Sequence, residues 1–162
     1  MTDLAAGGPS QTATAGASKR RLSREELTSW RAFLRAHAVI TRALEIELVA
    51  DQALSLAAYD VLVQLVEAPD HRLRMTELAD AVLLSRSGVT RLVDRLERDG
   101  LVERRACDSD ARGAFAVITD AGRARLETAR RTHVSDVRER FLSRFDADDQ
   151  AQLAAFWDRL DS

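Results

Sequence analysis

Residues 75–119 read MTELADAVLLSRSGVTRLVDRLERDGLVERRACDSDARGAFAVIT, and this stretch decides the fold. Its apolar residues recur first at helical spacing and then in two short β-compatible runs on either side of a polar DSDARG segment. The pattern predicts a helix, a turn, a second helix and a β-hairpin. Proteins use that order of elements to present side chains to duplex DNA.

The second helix of this stretch has two contrasting faces. Ser85 is predicted to cap it and Gly100 to terminate it, while Thr76 is predicted to cap the shorter helix before it, which runs through about Val82. Its inner face is apolar: Val89, Leu92, Val93 and Leu96. The outward and flanking residues are Arg86, Ser87, Thr90, Arg91, Asp94, Arg95 and Arg98. The N-terminal half of that face is small, hydroxylated and cationic, which suits a helix approaching bases and phosphates. The alternative is a solvated face on which Asp94 pairs with Arg98.

The hairpin carries an arginine at its tip. The predicted strands are Leu101 to Cys107 and Ala114 to Thr119, and they flank a six-residue tip. A tip that only reversed the chain would not need Arg112, whereas a long cation at the end of a β-ribbon can reach a minor groove. Residues 71–74 are too few for a helix and are predicted to form a small edge strand that pairs with the hairpin.

Helices are predicted on both sides of this stretch. Residues 1–22 are predicted to form a disordered tail, because residues 1 to about 20 are rich in Gly, Ala, Ser and Thr without periodicity. Ser23 and Glu26 form a capping box that opens a helix to about Ala50, and its two apolar stripes require two contact surfaces. Another helix is predicted from about Ser55 to Glu67, where Pro69 follows.

The C-terminal part is also predicted to be helical. One helix is expected from Asp120 to about Arg144, and Asp146 with Asp149 is expected to cap a final one. The terminal helices carry most of the aromatic residues, which would form an exposed apolar patch on a monomer. The sequence therefore predicts a mainly α (α+β) protein: a DNA-binding part at about 55–120 and dimerisation helices at about 23–50 and 121–161.

Composition limits the possible classes of protein. A chain of 162 residues with 46% hydrophobic residues is expected to form one compact domain. It contains no long apolar run and no secretory h-region, so we expect a cytoplasmic protein without a membrane span. A single cysteine, Cys107, cannot form an internal disulfide.

Bulk charge does not predict a nucleic-acid binder. The net charge is −2, and the segment from Arg72 to Arg112 contains nine arginines and eight acidic residues. The prediction of DNA binding therefore depends on where the arginines lie, and not on their number.

Enzymatic motifs are not evident in the sequence. Nothing resembles a phosphate-binding P-loop, a dinucleotide fingerprint or a nucleophile elbow. The three histidines are dispersed, without the spacing of a metal site. We expect neither catalysis nor a cofactor or metal.

The run TELADAVLLSRSGVTRLVDRLERDGLVERR, followed by DSDARG and VITDAG, resembles the MarR family of bacterial winged-helix transcriptional regulators. The resemblance implies a homodimer whose terminal helices intertwine, with a winged helix-turn-helix on each side. The second helix of the motif would lie in the major groove and the wing arginine in the adjacent minor groove. By position, the DNA-binding residues would be Arg86, Ser87, Thr90, Arg91 and Arg95 on the helix, with Asp110 and Arg112 on the wing. Asp110 would orient Arg112 or the wing backbone.

The resemblance also implies a sensor for a small ligand. Members of this family often respond to small phenolic or other anionic ligands bound between the dimerisation helices and the DNA-binding part. The candidate residues are Trp30, His37, Tyr59 and Asp60, with Arg91 or Arg104 behind the recognition helix. For Trp30, His37 and His133, ordinary packing is the competing interpretation. Cys107 is expected to be a small apolar strand residue and not a redox sensor.

Together these features predict a sequence-specific regulator that binds a pseudo-palindromic operator in double-stranded DNA. A dimeric repressor released from DNA by a small anionic or aromatic effector is expected. The alternative is a winged-helix module that contacts other proteins and does not bind DNA specifically.

Overall fold

The computed structural model describes residues 21–82, 84–107 and 110–160, without the side chains of residues 107 and 110–113. Of the predicted tail, residues 1–20 lie outside the described residues. The chain divides between Leu34 and Arg35 into two units. This boundary falls within the first helix, α1, which spans Arg24–Gln52.

The N-terminal unit contains the first turns of α1. The predicted capping box is present: the Glu26 amide donates to Ser23 Oγ at 3.1 Å, and the Ser23 amide donates to the Glu26 carboxylate at 2.6 Å. Trp30 and Phe33 stack with their ring centroids 5.8 Å apart. Both of these rings remain exposed, as does Leu34.

In the second unit, α1 buries one side and ends in a left-handed residue. Leu44 and Leu48 are buried, and Ala53 follows the helix with φ of 50°. The Leu54 amide donates to the Leu48 carbonyl at 3.4 Å, which closes the end of the helix. The next helix, α2 (Leu56–Glu67), has the bounds that the sequence predicted to within one residue, and Ser55 Oγ caps it by accepting the Ala58 amide at 3.1 Å.

A winged helix-turn-helix follows. Its elements are β1 (Arg72–Arg74), α3 (Met75–Ala81), α4 (Arg86–Arg98), β2 (Val102–Cys107) and β3 (Asp110–Ile118). The sheet is antiparallel in the order β1-β3-β2, with Leu73 opposite Ala116 and Arg104 also opposite Ala116. The predicted edge strand at 71–74 is therefore confirmed as β1, which pairs with β3 of the hairpin.

Two local predictions for this region are wrong. The cap of α3 is Arg74 and not Thr76, because the Glu77 carboxylate accepts the Arg74 amide at 2.8 Å and the helix starts at Met75. The hairpin tip is shorter than six residues, since Cys107 pairs with Asp110. A register shift after Ala106 takes up the additional residues of β3 and lets the ladder continue.

The C-terminal helices are α5 (Asp120–Arg140) and α6 (Ala147–Trp157), separated by a 3₁₀ turn at Leu142–Arg144. The sequence predicted a continuous helix to about Arg144, but Phe141 has φ of −120° and interrupts it. The Asp146 and Asp149 capping box predicted for α6 is confirmed, with the Asp149 amide 2.8 Å from Asp146 Oδ1.

One core connects the elements of the second unit. It is formed by side chains from α1 to α5 and from the sheet, and its most deeply buried members include Leu48, Leu62, Leu65, Leu78, Val89, Val93, Leu96 and Val102. Burial of each such side chain stabilises the fold by about 1.5–3 kcal/mol. The helix α4 is therefore held on a rigid base. Among the described residues, no helix combines the length and apolarity needed to cross a membrane.

The start of α5 contacts the turn after α4 closely. Thr119 Oγ1 donates to the Gly100 carbonyl at 2.7 Å and accepts the Gly122 amide at 3.0 Å. A Cβ at Gly122 would lie only 2.1 Å from the Leu101 carbonyl oxygen. We refer to Gly100, Leu101, Thr119 and Gly122 as the Thr119 joint.

Candidate nucleic-acid interface

The helix α4 buries one face and exposes the opposite one. Ser85 Oγ accepts the Gly88 amide at 3.1 Å, which fixes the start of the helix. Val89, Val93 and Leu96 are buried, as the spacing predicted. The five helix residues predicted to contact DNA are all exposed: Arg86, Ser87, Thr90, Arg91 and Arg95. The structure thus brings them onto one accessible surface, and their contact with DNA remains a prediction.

Several of these side chains lie along the helix backbone. Thr90 Oγ1 donates to the Arg86 carbonyl at 2.9 Å, and Arg91 Nε donates to the Ser87 carbonyl at 3.3 Å. The hydroxyls of Ser85 and Ser87 are 3.3 Å apart. Among the described residues, only Nε of the Arg91 guanidinium is bound to the helix, which leaves its other donors available for an anion.

Charge on α4 is compensated from the wing. The helix carries Arg86, Arg91, Arg95 and Arg98 together with Asp94 and Glu97. Arg104 on β2 forms ion pairs with both of these carboxylates. The Asp94 carboxylate pairs with Arg104, and not with Arg98 as the alternative reading of the sequence had it. Arg98 Nε instead donates to the Asp94 backbone carbonyl at 3.2 Å. The sequence spacing could not reveal the tertiary partner, Arg104.

The wing residues can be placed only by their backbone. Asp110 and Arg112 belong to β3, which pairs with β2 as the hairpin pattern predicted. Their side chains lie outside the described residues, and so does the side chain of Cys107. The predictions for Asp110 and Arg112 as DNA contacts, and for Cys107 as a small apolar residue, remain predictions.

A second feature is an open cavity of about 910 Å³ between α1, α2, α3 and α5. Three of the predicted ligand residues, His37, Tyr59 and Asp60, line it. The rest of its lining is Ala38, Thr41, Arg42, Leu44, Glu45, Leu56, Ala57, Val82 and His133. Two other candidates lie elsewhere. Arg104 is engaged with α4, and Trp30 belongs to the N-terminal unit, where it stacks on Phe33.

His133 lines the cavity, although the sequence suggested only packing for it. Its ring lies 4.4 Å from that of Tyr59, centroid to centroid. Burial raises the pKa of Tyr59 and of Asp60, and it lowers the pKa of His133. His133 Nδ1 is buried and lacks a hydrogen-bond partner within the described structure. Helical spacing on α5 placed His133 on the buried side, but only the fold reveals that Tyr59 is its neighbour.

The described residues contain no group of three or more His, Cys, Asp or Glu side chains arranged to bind a metal ion. The exposed face of α4 carries cationic and hydroxylated side chains, and the cavity is lined by aromatic side chains and by charged groups of both signs.

Known proteins share both the sequence motif and the fold. A sequence profile of the MarR family matches residues 54–113. The HTH-type transcriptional repressor YetL of Bacillus subtilis is 39% identical over 88 residues, which cover 54% of this chain and 53% of that protein. The chain therefore aligns with about half the length of this curated relative.

Solved structures extend the similarity over most of the chain. A MarR family transcriptional regulator from Streptomyces coelicolor, solved in complex with DNA, superposes with a TM-score of 0.83 and 36% identity, covering 87% of this chain and 89% of that one. AbsC, a MarR family transcriptional regulator of the same organism, gives a TM-score of 0.81 and 32% identity, with 87% and 95% coverage. These relatives are regulators, and their fold is the winged helix described above. By sequence and by fold, this chain belongs to the MarR family of transcriptional regulators.

Proposed function

We propose that this protein is a sequence-specific DNA-binding transcriptional regulator that acts as a dimeric repressor. The observation that carries the proposal is the exposed, cationic and hydroxylated face of α4, which is supported on a buried core beside a β-ribbon. A rigid helix of this kind fits the major groove, where arginine can bind guanine edges and phosphates.

In this proposal, α4 and the wing have different tasks. Ser87, Thr90 and Arg91 contact base edges, while Arg86 and Arg95 bind flanking phosphates. Arg112, oriented by Asp110, enters the minor groove. These assignments follow the positions of the residues on α4 and β3.

Dimerisation is proposed because both terminal regions expose large apolar residues. Trp30 and Phe33 are exposed in the first unit, and Phe156, Trp157 and Leu160 are exposed in the second. A second copy of the chain would cover such surfaces. Two-fold symmetry then requires a pseudo-palindromic operator with half-sites about 34 Å apart, or a multiple of that distance.

Relief of repression by a small molecule is proposed from the cavity. Its lining offers the adjacent, tilted rings of Tyr59 and His133 beside the Asp60 carboxylate and Arg42. An aromatic effector could stack there and bind polar groups at the rim. We propose Arg42 as the candidate contact for an anionic effector, together with His37. A regulator that works on DNA acts in the cytoplasm, which is the location we propose.

The direct test is fluorescence anisotropy with duplex DNA from upstream of the chain's own gene and a shuffled duplex, across a series of salt concentrations. We expect preferential binding to the upstream duplex and an affinity that falls steeply with salt. The competing function, a winged-helix module that only contacts proteins, predicts no salt-sensitive binding to either duplex.

Repression has its own test in a reporter strain. A dimer that covers a promoter blocks polymerase by occupancy, so expression from the upstream region should rise when the regulator is removed. A fall in expression would indicate an activator.

A further inference from the structure

Of the wing residues whose side chains are described, Arg104 makes several contacts to α4. Its Nη1 lies 2.9 Å from Glu97 Oε2 and also pairs with the Asp94 carboxylate, while Nη2 donates to the Thr90 carbonyl at 3.2 Å. Its backbone amide donates to Glu97 Oε1 at 3.1 Å. One strand residue is thus bound to three successive turns of the helix.

The neighbouring arginine on β2 is different. Arg105 pairs with Glu103, two residues away on the same strand, and 64% of its side chain is exposed, compared with 26% for Arg104. Successive residues of a strand face opposite sides. Arg104 therefore joins two elements, whereas Arg105 makes only a local ion pair that solvent screens.

The partners of Arg104 lie on the helix proposed to read DNA. Asp94 is on the same face as Ser87 and Arg91, and the Asp94 and Glu97 side chains are 47% and 40% exposed. Carboxylates at that position would repel the phosphate backbone if they were unpaired. The guanidinium offsets one of these two negative charges without occupying the exposed arginines of α4.

Arginine is suited to this arrangement because its planar fork can donate to several acceptors at fixed angles. Lysine would supply the charge, but its single ammonium group could not hold both carboxylates and the Thr90 carbonyl in one geometry.

We propose that Arg104 is a positioning residue for DNA recognition, which locks α4 to the wing and offsets part of the negative charge of Asp94 and Glu97 without touching DNA itself. This role rests on the proposed function. In this role, the Asp94 and Glu97 carboxylates bind the arginine that fixes the angle between α4 and the β2–β3 hairpin.

The first experiment compares Arg104→Met with Arg105→Met, which make the same charge change on adjacent residues. Binding to the upstream duplex is measured by anisotropy across a salt series. We expect Arg104→Met to weaken binding at least about tenfold, a loss of roughly 1.4 kcal/mol, and to exceed Arg105→Met clearly. Equal losses for the two variants would overturn the proposal, because bulk charge alone would then explain them.

The second experiment adds Asp94→Asn and Glu97→Gln to Arg104→Met. If Arg104 offsets the charge of these carboxylates, the triple variant should regain part of the lost affinity, although the contact between β2 and α4 is not restored. An arginine that binds a phosphate directly would instead lower the slope of log affinity against log salt by about 0.9, and the triple variant would not recover. That pair of results would overturn the proposal.

Circular dichroism and hydrogen exchange at α4 accompany both experiments, and Arg104→Lys serves if Arg104→Met does not fold. We expect the lysine variant to bind more weakly than the parent and its α4 amides to exchange faster. A lysine variant equal to the parent in both respects would overturn the positioning role. If the parent itself fails to bind DNA, the proposed function is overturned as well. If the parent binds DNA and the Arg104 variants bind equally well, only the role of Arg104 is overturned.

Discussion

At the residue scale, the motif Ile118–Thr119–Asp120–Ala121–Gly122 has a direct physical explanation. The Thr119 hydroxyl caps α5 and at the same time binds the Gly100 carbonyl. Gly122 is needed because backbone and not side chain stands where its Cβ would be. The motif therefore encodes the close contact between two elements.

Substitution of Gly122 by alanine should destabilise the fold. The new Cβ would lie 2.1 Å from the Leu101 carbonyl oxygen and 2.8 Å from Ile118 Cγ1, so the backbone must shift. We expect the free energy of unfolding to fall by about 1–3 kcal/mol or more in urea denaturation. Gly88→Ala is the matched control, because its Cβ would meet only the Ser85 hydroxyl, at 3.1 Å, and the Leu84 side chain, at 3.8 Å. Equal stability of the two variants would contradict this explanation.

His133 should make stability depend on pH. Burial lowers its pKa, so folding disfavours its protonated form. Its contribution to stability is present above the ordinary histidine pKa of about 6.5 and is lost as the pH falls through the lower value of the folded state. Asp60 acts in the opposite sense, since its raised pKa favours the protonated group in the folded chain, nearer pH 4.

The measurement is urea denaturation at about pH 7.5 and about pH 5.5, at one protein concentration. The parent should lose stability on acidification. His133→Phe retains a ring against Tyr59 but cannot take up a proton, so its loss should be smaller. An identical pH dependence of parent and variant would show that His133 does not contribute.

At the element scale, sequence predicted what is local and missed what is tertiary. Ser85 and Asp146 were recognisable as caps because a residue with a short polar side chain just before a helical pattern is a local signal. The α3 cap was predicted at Thr76, whereas the Glu77 carboxylate accepts the Arg74 amide and the cap lies at Arg74.

The contacts of the candidate interface were only partly predictable. Helical periodicity identified the exposed face of α4, since burial of Val89, Val93 and Leu96 determines it. Arg104 was predicted as a ligand contact, yet it binds Thr90, 14 residues away along the chain. No spacing rule relates a strand residue to a helix across such a distance. Tyr59 and His133, which are also neighbours in the fold, lie much farther apart in sequence.

The wing has a prediction of its own. Arg112→Ala should weaken binding to all DNA sequences and lower the slope of log affinity against log salt by about 0.9, because one cation that releases a counterion from the DNA is lost. Anisotropy across a salt series measures both. Arg144→Ala, an exposed arginine in the turn before α6, removes the same charge and should leave the slope unchanged. An unchanged slope for Arg112→Ala would remove the wing arginine from the interface.

At the scale of the whole molecule, the exposed apolar residues need a partner. Phe156 and Trp157 are 48% and 42% exposed near the end of α6, and a second copy of the chain is the partner we propose. If so, oligomerisation and DNA binding are linked, because a monomer reads only one half-site and loses the avidity of two.

A charge placed in this surface should dissociate the dimer. We expect Phe156→Asp to shift the mass measured by sedimentation from dimer toward monomer and to weaken operator binding. Gln152→Asp adds the same charge to an exposed position of the same helix without removing apolar surface, so it should remain dimeric. A Phe156→Asp protein that keeps the parent's mass would exclude this part of α6 from the interface.

The Thr119 joint also has a mechanical consequence. From this joint α5 extends over 21 residues, about 32 Å, and its base is held against the end of α4 with almost no free space. A displacement of about 3 Å at the far end of α5 corresponds to a tilt of only about 5° at such a base. We expect the joint to transmit that tilt, so that α5 would act as a stiff lever and turn the end of α4 with it. In a dimer, the distance between the two α4 helices would then depend on the tilt of α5 in each protomer.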